Sequence, residues 1–119
     1  AEIWNRYDVV LADWANRHGV LRPYVPAGCE HVGHVYHLRF KVGEQRTRFI
    51  DHMKEHGVAC VFHYQPLHNS PVGQRFGGRS GQCPVAEHAG NCLVRLPLYN
   101  TLLPDEQSRV IESALAFNP

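Results

Sequence analysis

Three runs in this sequence have the length and apolar density of β-strands: "HVYHLRFKV" (34–42), "VACVFH" (58–63) and "CLVRLPLY" (92–99). The stretches between and around them carry helical periodicity or turn residues. Three short strands cannot bury a core alone, so helices must close over them. The order helix, strand, helix, strand, helix, strand, helix predicts an α/β (α+β) chain. Its architecture is a two-layer sandwich, with a small three-stranded sheet and about four helices, in one domain over residues 1–119.

The helices are legible individually. Ile3, Trp4, Tyr7, Val10, Leu11 and Trp14 recur at i, i+3, i+4, i+7 and predict a helix over 2–18 that stops near Gly19. "GEQRTRFIDHMKEHG" (43–57) predicts a second, with Phe49, Ile50 and Met53 inward and Gly57 as its cap. "CPVAEHAGN" (83–91) predicts a short third with Pro84 in its first turn, although Gly90 weakens it. The last starts at Pro104-Asp105-Glu106 and buries Val110, Ile111, Ala114 and Leu115. Leu103 precedes it without a capping oxygen. In the first strand Tyr36, Leu38 and Phe40 alternate with Val35, His37 and Arg39, and the first set is the buried one. "VACVFH" is too apolar for an exposed edge. "RPYVPAG" (22–28) is a connector, and 69–82, with four glycines and no periodicity, predicts a long mobile loop.

The formal charge is +1, with Lys and Arg spread along the chain, so the basic footprint of a nucleic-acid binder is missing. No apolar run approaches the roughly 20 residues of a membrane span. Without a signal-peptide pattern a cytoplasmic location is expected, with Cys29, Cys60, Cys83 and Cys92 as free thiols. The cluster Cys29, His31, His34 and His37 invites a metal. Yet no C-x2-C occurs, and strand residues three apart face opposite ways. No metal site is expected.

"VFHYQPLHNSP" (61–71) is the unusual stretch. A core strand ends by crowding two imidazoles and a phenol around a proline, where a plain turn needs only Gly, Asn or Pro. Imidazole and phenol present hydrogen bonds while Pro66 restricts the backbone. The stretch points to a binding site at His63, Tyr64 and His68. The alternative is that they cap the strand and fill an interface.

"IWNRYDVVL", "HVYHLRF", "GVACVFHYQPLH", "CPVAEHAGNCLVRLPLY" and "LPDEQSRVIESAL" follow one another in an order that resembles a known family. The chain is similar to the C-terminal small domain of the DegT/DnrJ/StrS sugar-nucleotide aminotransferases, enzymes of fold type I that use pyridoxal phosphate. H-Y-x-P-L-H (63–68) and C-P-V-A-E…L-x-R-L-P-L-Y (83–99) are the most specific motifs. Within the family, "VFHYQPLH" and "RLPLY" look closest to transaminases of TDP-4-keto-6-deoxyhexoses, which serve lipopolysaccharide, O-antigen or enterobacterial common antigen synthesis. The resemblance implies glutamate as amino donor, a nucleotide sugar as acceptor and a homodimeric full-length enzyme. It also implies a large domain, absent from this chain, that holds the cofactor and its lysine. Neither Lys41 nor Lys54 matches that lysine, so no catalytic or cofactor-binding residue is expected and the chain alone should be inactive. By position, His63 is the substrate contact, with Tyr64 and His68 beside it. His34 matches a further family histidine, for which contact and packing are both open.

Sibling chemistries remain as alternatives: transamination of a 3-keto sugar, or pyridoxal-phosphate-dependent 3-dehydration. A different class would be a free-standing binding or adaptor domain. Against it stands an uncapped first helix, with an apolar Ile3, Trp4, Tyr7 and Trp14 face expected to be bared to solvent as in a severed domain.

Overall fold

The computed structural model describes residues 1–119 and is organised around one short central strand. Strands β1 (Tyr36–Arg39), β2 (Val61–Phe62) and β3 (Leu93–Leu96) form a sheet in the order β1-β3-β2, antiparallel throughout. Tyr36 faces Leu96 and Leu38 faces Val94, and these four side chains make the sheet's inner surface. The period-2 alternation that marks β1 in the sequence is what puts Tyr36, Leu38 and Phe40 into the core together.

Helices α1 (Glu2–Val10), α2 (Ala12–His18), α3 (Gly43–Glu55) and α6 (Pro104–Leu115) supply the rest of the core, through Tyr7, Leu11, Trp14, Phe49, Met53, Val110, Ile111 and Ala114. α1 and α2 are one bent helix, because Leu11 N–H still donates to Tyr7 O and Ala15 N–H to Leu11 O. It ends at Gly19 in the left-handed region, and α3 is likewise followed by a left-handed Gly57. Between β2 and β3 lie a 3-10 turn (Leu67–Asn69) and helices α4 (Pro71–Arg75) and α5 (Pro84–Cys92). The fold is thus α+β with six helices, the two-layer arrangement expected.

Several expectations are corrected. The indoles are not bared: Trp4 and Trp14 are 7% and 1% exposed. Trp4 Nε1 donates to Val35 O and Trp14 Nε1 to Phe117 O, so the returning chain covers both. Val9 and Val10 are this helix's exposed apolar residues. "VACVFH" pairs only over Val61–Phe62 and is an edge, with Phe62 60% exposed, while its apolar character comes from Val58 and Cys60 packing inward. Residues 69–82 are not one loop, since Ser70 Oγ accepts from Gly73 N–H and starts α4. A side chain at Gly73 would strike Leu67 O, so that glycine serves close packing. Leu115 is 40% exposed, and Phe117 fills the core position instead. Ile50 is only partly buried against the core. Before α6, Leu103 N–H donates to Glu106 Oε2 at 2.9 Å, which provides half a capping box without a polar N-cap side chain.

Candidate functional site

The strand-end motif lies where β2 leaves the sheet. His63 lines two adjoining grooves, of about 280 and 480 Å3. The first is bounded by Arg46, Phe62 and Asn91, the second by Tyr64, Leu67, Ala86 and Leu93, and Gln65, Pro66 and Gly90 line both. His63 Nδ1 is shielded from solvent and has no hydrogen-bond partner within the fold. Most buried polar atoms are paired, and His63 Nδ1 is one of five side-chain atoms here that are not, with His31 Nδ1, Arg46 Nε, Asn69 Oδ1 and Arg95 Nε. The imidazole meets the Tyr64 ring edge-on at 5.3 Å between centroids.

Tyr64 itself is exposed, and its ring carries the Arg95 guanidinium 5.4 Å above its centroid. His68 is engaged differently. Its Nε2 lies 2.7 Å from Glu87 Oε1, and that carboxylate also accepts from Gly81 N–H at 2.8 Å. The His68 hydrogen bond, together with backbone N–H groups of Gly81 and Cys83, holds the Glu87 carboxyl below its ordinary range. His68 therefore ties the start of the β2–β3 excursion to α5. His63 and Tyr64 face the groove, and His68 fastens the segment behind them.

The sheet's outer face is the part of the site that the sequence motifs do not announce. β-Strand alternation turns His37, Arg39 and Arg95 away from the core, and all three are half-buried. Burial lowers the His37 pKa, and the nearby charges of His63 and Arg39 lower it further. A signal is nonetheless present in "LVRLPLY": Val94 and Leu96 point inward, so Arg95 between them must point outward.

The histidine cluster after Cys29 disperses. His31 stacks on Trp4 at 4.0 Å, His34 is exposed at the edge of a 240 Å3 hollow that Arg95 also lines, and His37 lies on the outer face. No three His, Cys, Asp or Glu side chains converge as metal ligands would. The four cysteines are unbonded, Cys60 and Cys92 buried and Cys29 and Cys83 exposed. Lys41 lies over Gly19 and Lys54 is exposed on α3, both away from the grooves. The residues at the grooves thus offer hydrogen bonds and positive charge to an anionic or hydroxyl-rich ligand, without a lysine nucleophile.

Known proteins share this fold and parts of this sequence. The chain is 34% identical over 110 residues to a dTDP-3-amino-3,4,6-trideoxy-alpha-D-glucose transaminase from Micromonospora megalomicea subsp. nigra, covering 91% of this chain and 29% of that protein. Its fold superposes on the aminotransferase TlmJ from Streptoalloteichus hindustanus with a TM-score of 0.80 at 29% identity, over 97% of this chain and 29% of that one. Bacillus subtilis NtdA, solved with bound cofactor PMP, is similar with a TM-score of 0.77 and 26% identity, over 94% and 26% of the two chains. The chain therefore spans under a third of the length of each of these relatives. Residues 1–115 match the sequence model of the DegT/DnrJ/EryC1/StrS aminotransferase family, and the chain belongs to that family.

Proposed function

We propose that this chain is the C-terminal small domain of a pyridoxal-phosphate-dependent aminotransferase. The enzyme moves an amino group from glutamate to a keto-sugar nucleotide, TDP-4-keto-6-deoxyglucose, in surface-polysaccharide synthesis. The observation that carries this reading is His63: a shielded, unpartnered Nδ1 at the wall of two grooves, at the end of a strand, in a chain of this family.

His63 donates to the sugar nucleotide, Tyr64 borders the same opening, and His68 acts as a positioning residue through Glu87. The 34% identical relative, named as a dTDP-sugar transaminase, supports the nucleotide-sugar class. Pyridoxal phosphate supplies the carbanion-stabilising chemistry in such enzymes. The side chains of this chain do not fit as its holder, because neither lysine reaches the grooves. The cofactor is assigned to the enzyme's large domain and no step through it to these residues. The full-length enzyme is a cytoplasmic homodimer in this reading, and no helix here is long and apolar enough to cross a membrane.

A second reading is amination at carbon 3, favoured by the name of that same relative, a 3-amino sugar transaminase. One experiment separates them. Full-length enzyme with pyridoxal phosphate and glutamate is offered the 4-keto and the 3-keto TDP-6-deoxyhexoses, and the aminated products are located by NMR. Amination at carbon 4 is expected. Amination only at carbon 3 would select the second reading, and turnover of neither would overturn both.

A further inference from the structure

The sheet's outer face carries positive charge that nothing in the fold neutralises. Arg95 sits on the central strand with His37 opposite it on β1 and Val61 opposite it on β2. Arg39 lies further along β1, and His63 follows Val61 by two residues, near enough for its charge to act on His37. The ion pairs of the chain are Arg22–Asp8 and His68–Glu87, so Arg39 and Arg95 have no carboxylate partner. Arg95 Nε, on the 240 Å3 hollow, is shielded from solvent and unpartnered, as are His63 Nδ1 and Arg46 Nε on the 280 Å3 groove. The Tyr64 ring orients the guanidinium but accepts none of its in-plane N–H bonds.

A shielded arginine N–H, a shielded imidazole nitrogen and two guanidinium charges on one small surface are unfavourable until an anion with several acceptor oxygens arrives. A carboxylate would satisfy one guanidinium fork and leave the other guanidinium unpaired. A diphosphate brings more charge and more oxygens, and the planar fork of arginine matches it bidentately. We propose that Arg95 is the phosphate-binding residue of this site: it takes the diphosphate of a nucleotide-linked substrate, with the Tyr64 ring holding the guanidinium in place and His63 donating a second hydrogen bond. This rests on the nucleotide-sugar reading above and adds to it the residue that recognises the nucleotide's charge.

The test is calorimetric titration of the full-length enzyme with TDP, beside the KM for glutamate in its half-reaction. Arg95→Gln is expected to weaken TDP binding about ten- to a hundredfold, the loss for a charge-assisted hydrogen bond, with the glutamate KM unchanged. Arg95→Lys, which keeps the charge but loses the fork, is expected to weaken it about tenfold. If the wild-type enzyme binds no TDP, the nucleotide-sugar reading and this proposal fall together. If it binds TDP and Arg95→Gln binds it equally well, this proposal alone fails, and an acidic surface of another domain is the better partner for the face. A rise in the glutamate KM matching the TDP loss would also overturn it, in favour of a donor-carboxylate site. Should Arg95→Gln not fold, Arg95→Lys decides: weaker TDP binding supports the assignment and unchanged binding overturns it.

Discussion

Gly90 of α5 lies against the ring of Pro66: a Cβ placed on Gly90 would come within 3.1 Å of Pro66 Cδ and 3.2 Å of its Cγ. The glycine that weakens α5 as a helix thus lets the strand-end motif settle on it. Alanine at an ordinary helix interior stabilises by about 0.5–1 kcal/mol over glycine. Gly90→Ala should show none of that gain in urea unfolding. Gly90→Val should lose about 1–3 kcal/mol, the usual range for overpacking. A Gly90→Ala protein with the full helix-propensity gain would mean that Pro66 gives way freely.

His63→Ala in the full-length enzyme should lower kcat/KM for the nucleotide sugar by about ten- to a hundredfold, equivalent to about 1.5–3 kcal/mol for a hydrogen bond to a charged group. The glutamate half-reaction, followed through the pyridoxal and pyridoxamine absorbance bands, should change less. Equal losses in both would assign His63 to the domain interface.

The Glu87 carboxyl, depressed by its His68 hydrogen bond, predicts an acid-labile clasp. A folded-state pKa below the unfolded one gives stabilisation that is present above the ordinary carboxylate value, about 4.3. It is lost as pH falls through the lower folded value. Protection of the Gly81 amide in hydrogen exchange should therefore decline in that acid window. Glu87→Gln should remove the pH dependence, and an identical decline in that variant would rule out the clasp.

Trp14 should be among the costliest side chains to remove. Trp14→Ala should destabilise by about 3–5 kcal/mol, as for other buried aromatic truncations. Trp14→Phe retains most of the volume and should cost about 1–2 kcal/mol, mainly because Phe117 O loses its donor. Both tryptophans should emit at the blue end of the indole range. Red-shifted emission from folded protein would contradict their burial.

Thiol titration should resolve two classes. Cys29 and Cys83 are exposed and should react promptly at neutral pH. Burial pushes the Cys60 thiol up to about 12 and raises Cys92 as well, so both should wait for denaturant. Four fast thiols in the native chain would mean that the surroundings of both Cys60 and Cys92 open readily.

The periodic parts of the chain are legible in its amino-acid order. Alternation in β1 identifies the correct buried set, and Gly19 and Gly57 mark the ends of their helices. The motifs around residues 63–68 and 83–99 lead to the right family. Solvent exposure is the part that a local pattern does not carry, because it depends on partners distant in sequence. The Trp4 and Trp14 face looks open in the sequence because Val35 and Phe117, which cover it, lie 31 and 103 residues away. Residues 69–82 hide α4 because Ser70 supplies the cap for a helix too short to show a period. At the candidate site, the side chains that can hydrogen-bond are visible in the sequence. That His68 turns to Glu87 while Arg95 turns to Tyr64 depends on how α5 and β3 return beside β2.

The bond from Trp14 Nε1 to Phe117 O joins positions 103 residues apart, and Gln107 Nε2 reaches back to Ile3 O in the same way. During synthesis the α1–α2 segment emerges with its aromatic face uncovered. At about 5–20 residues per second, the cover over Trp14 follows on the order of ten seconds later. Through that interval the helix is a hydrophobic ligand without its receptor. The late segment from α6 to Phe117 thus acts as a latch on the early one, and translation speed over the codons between them should govern how much of the protein aggregates.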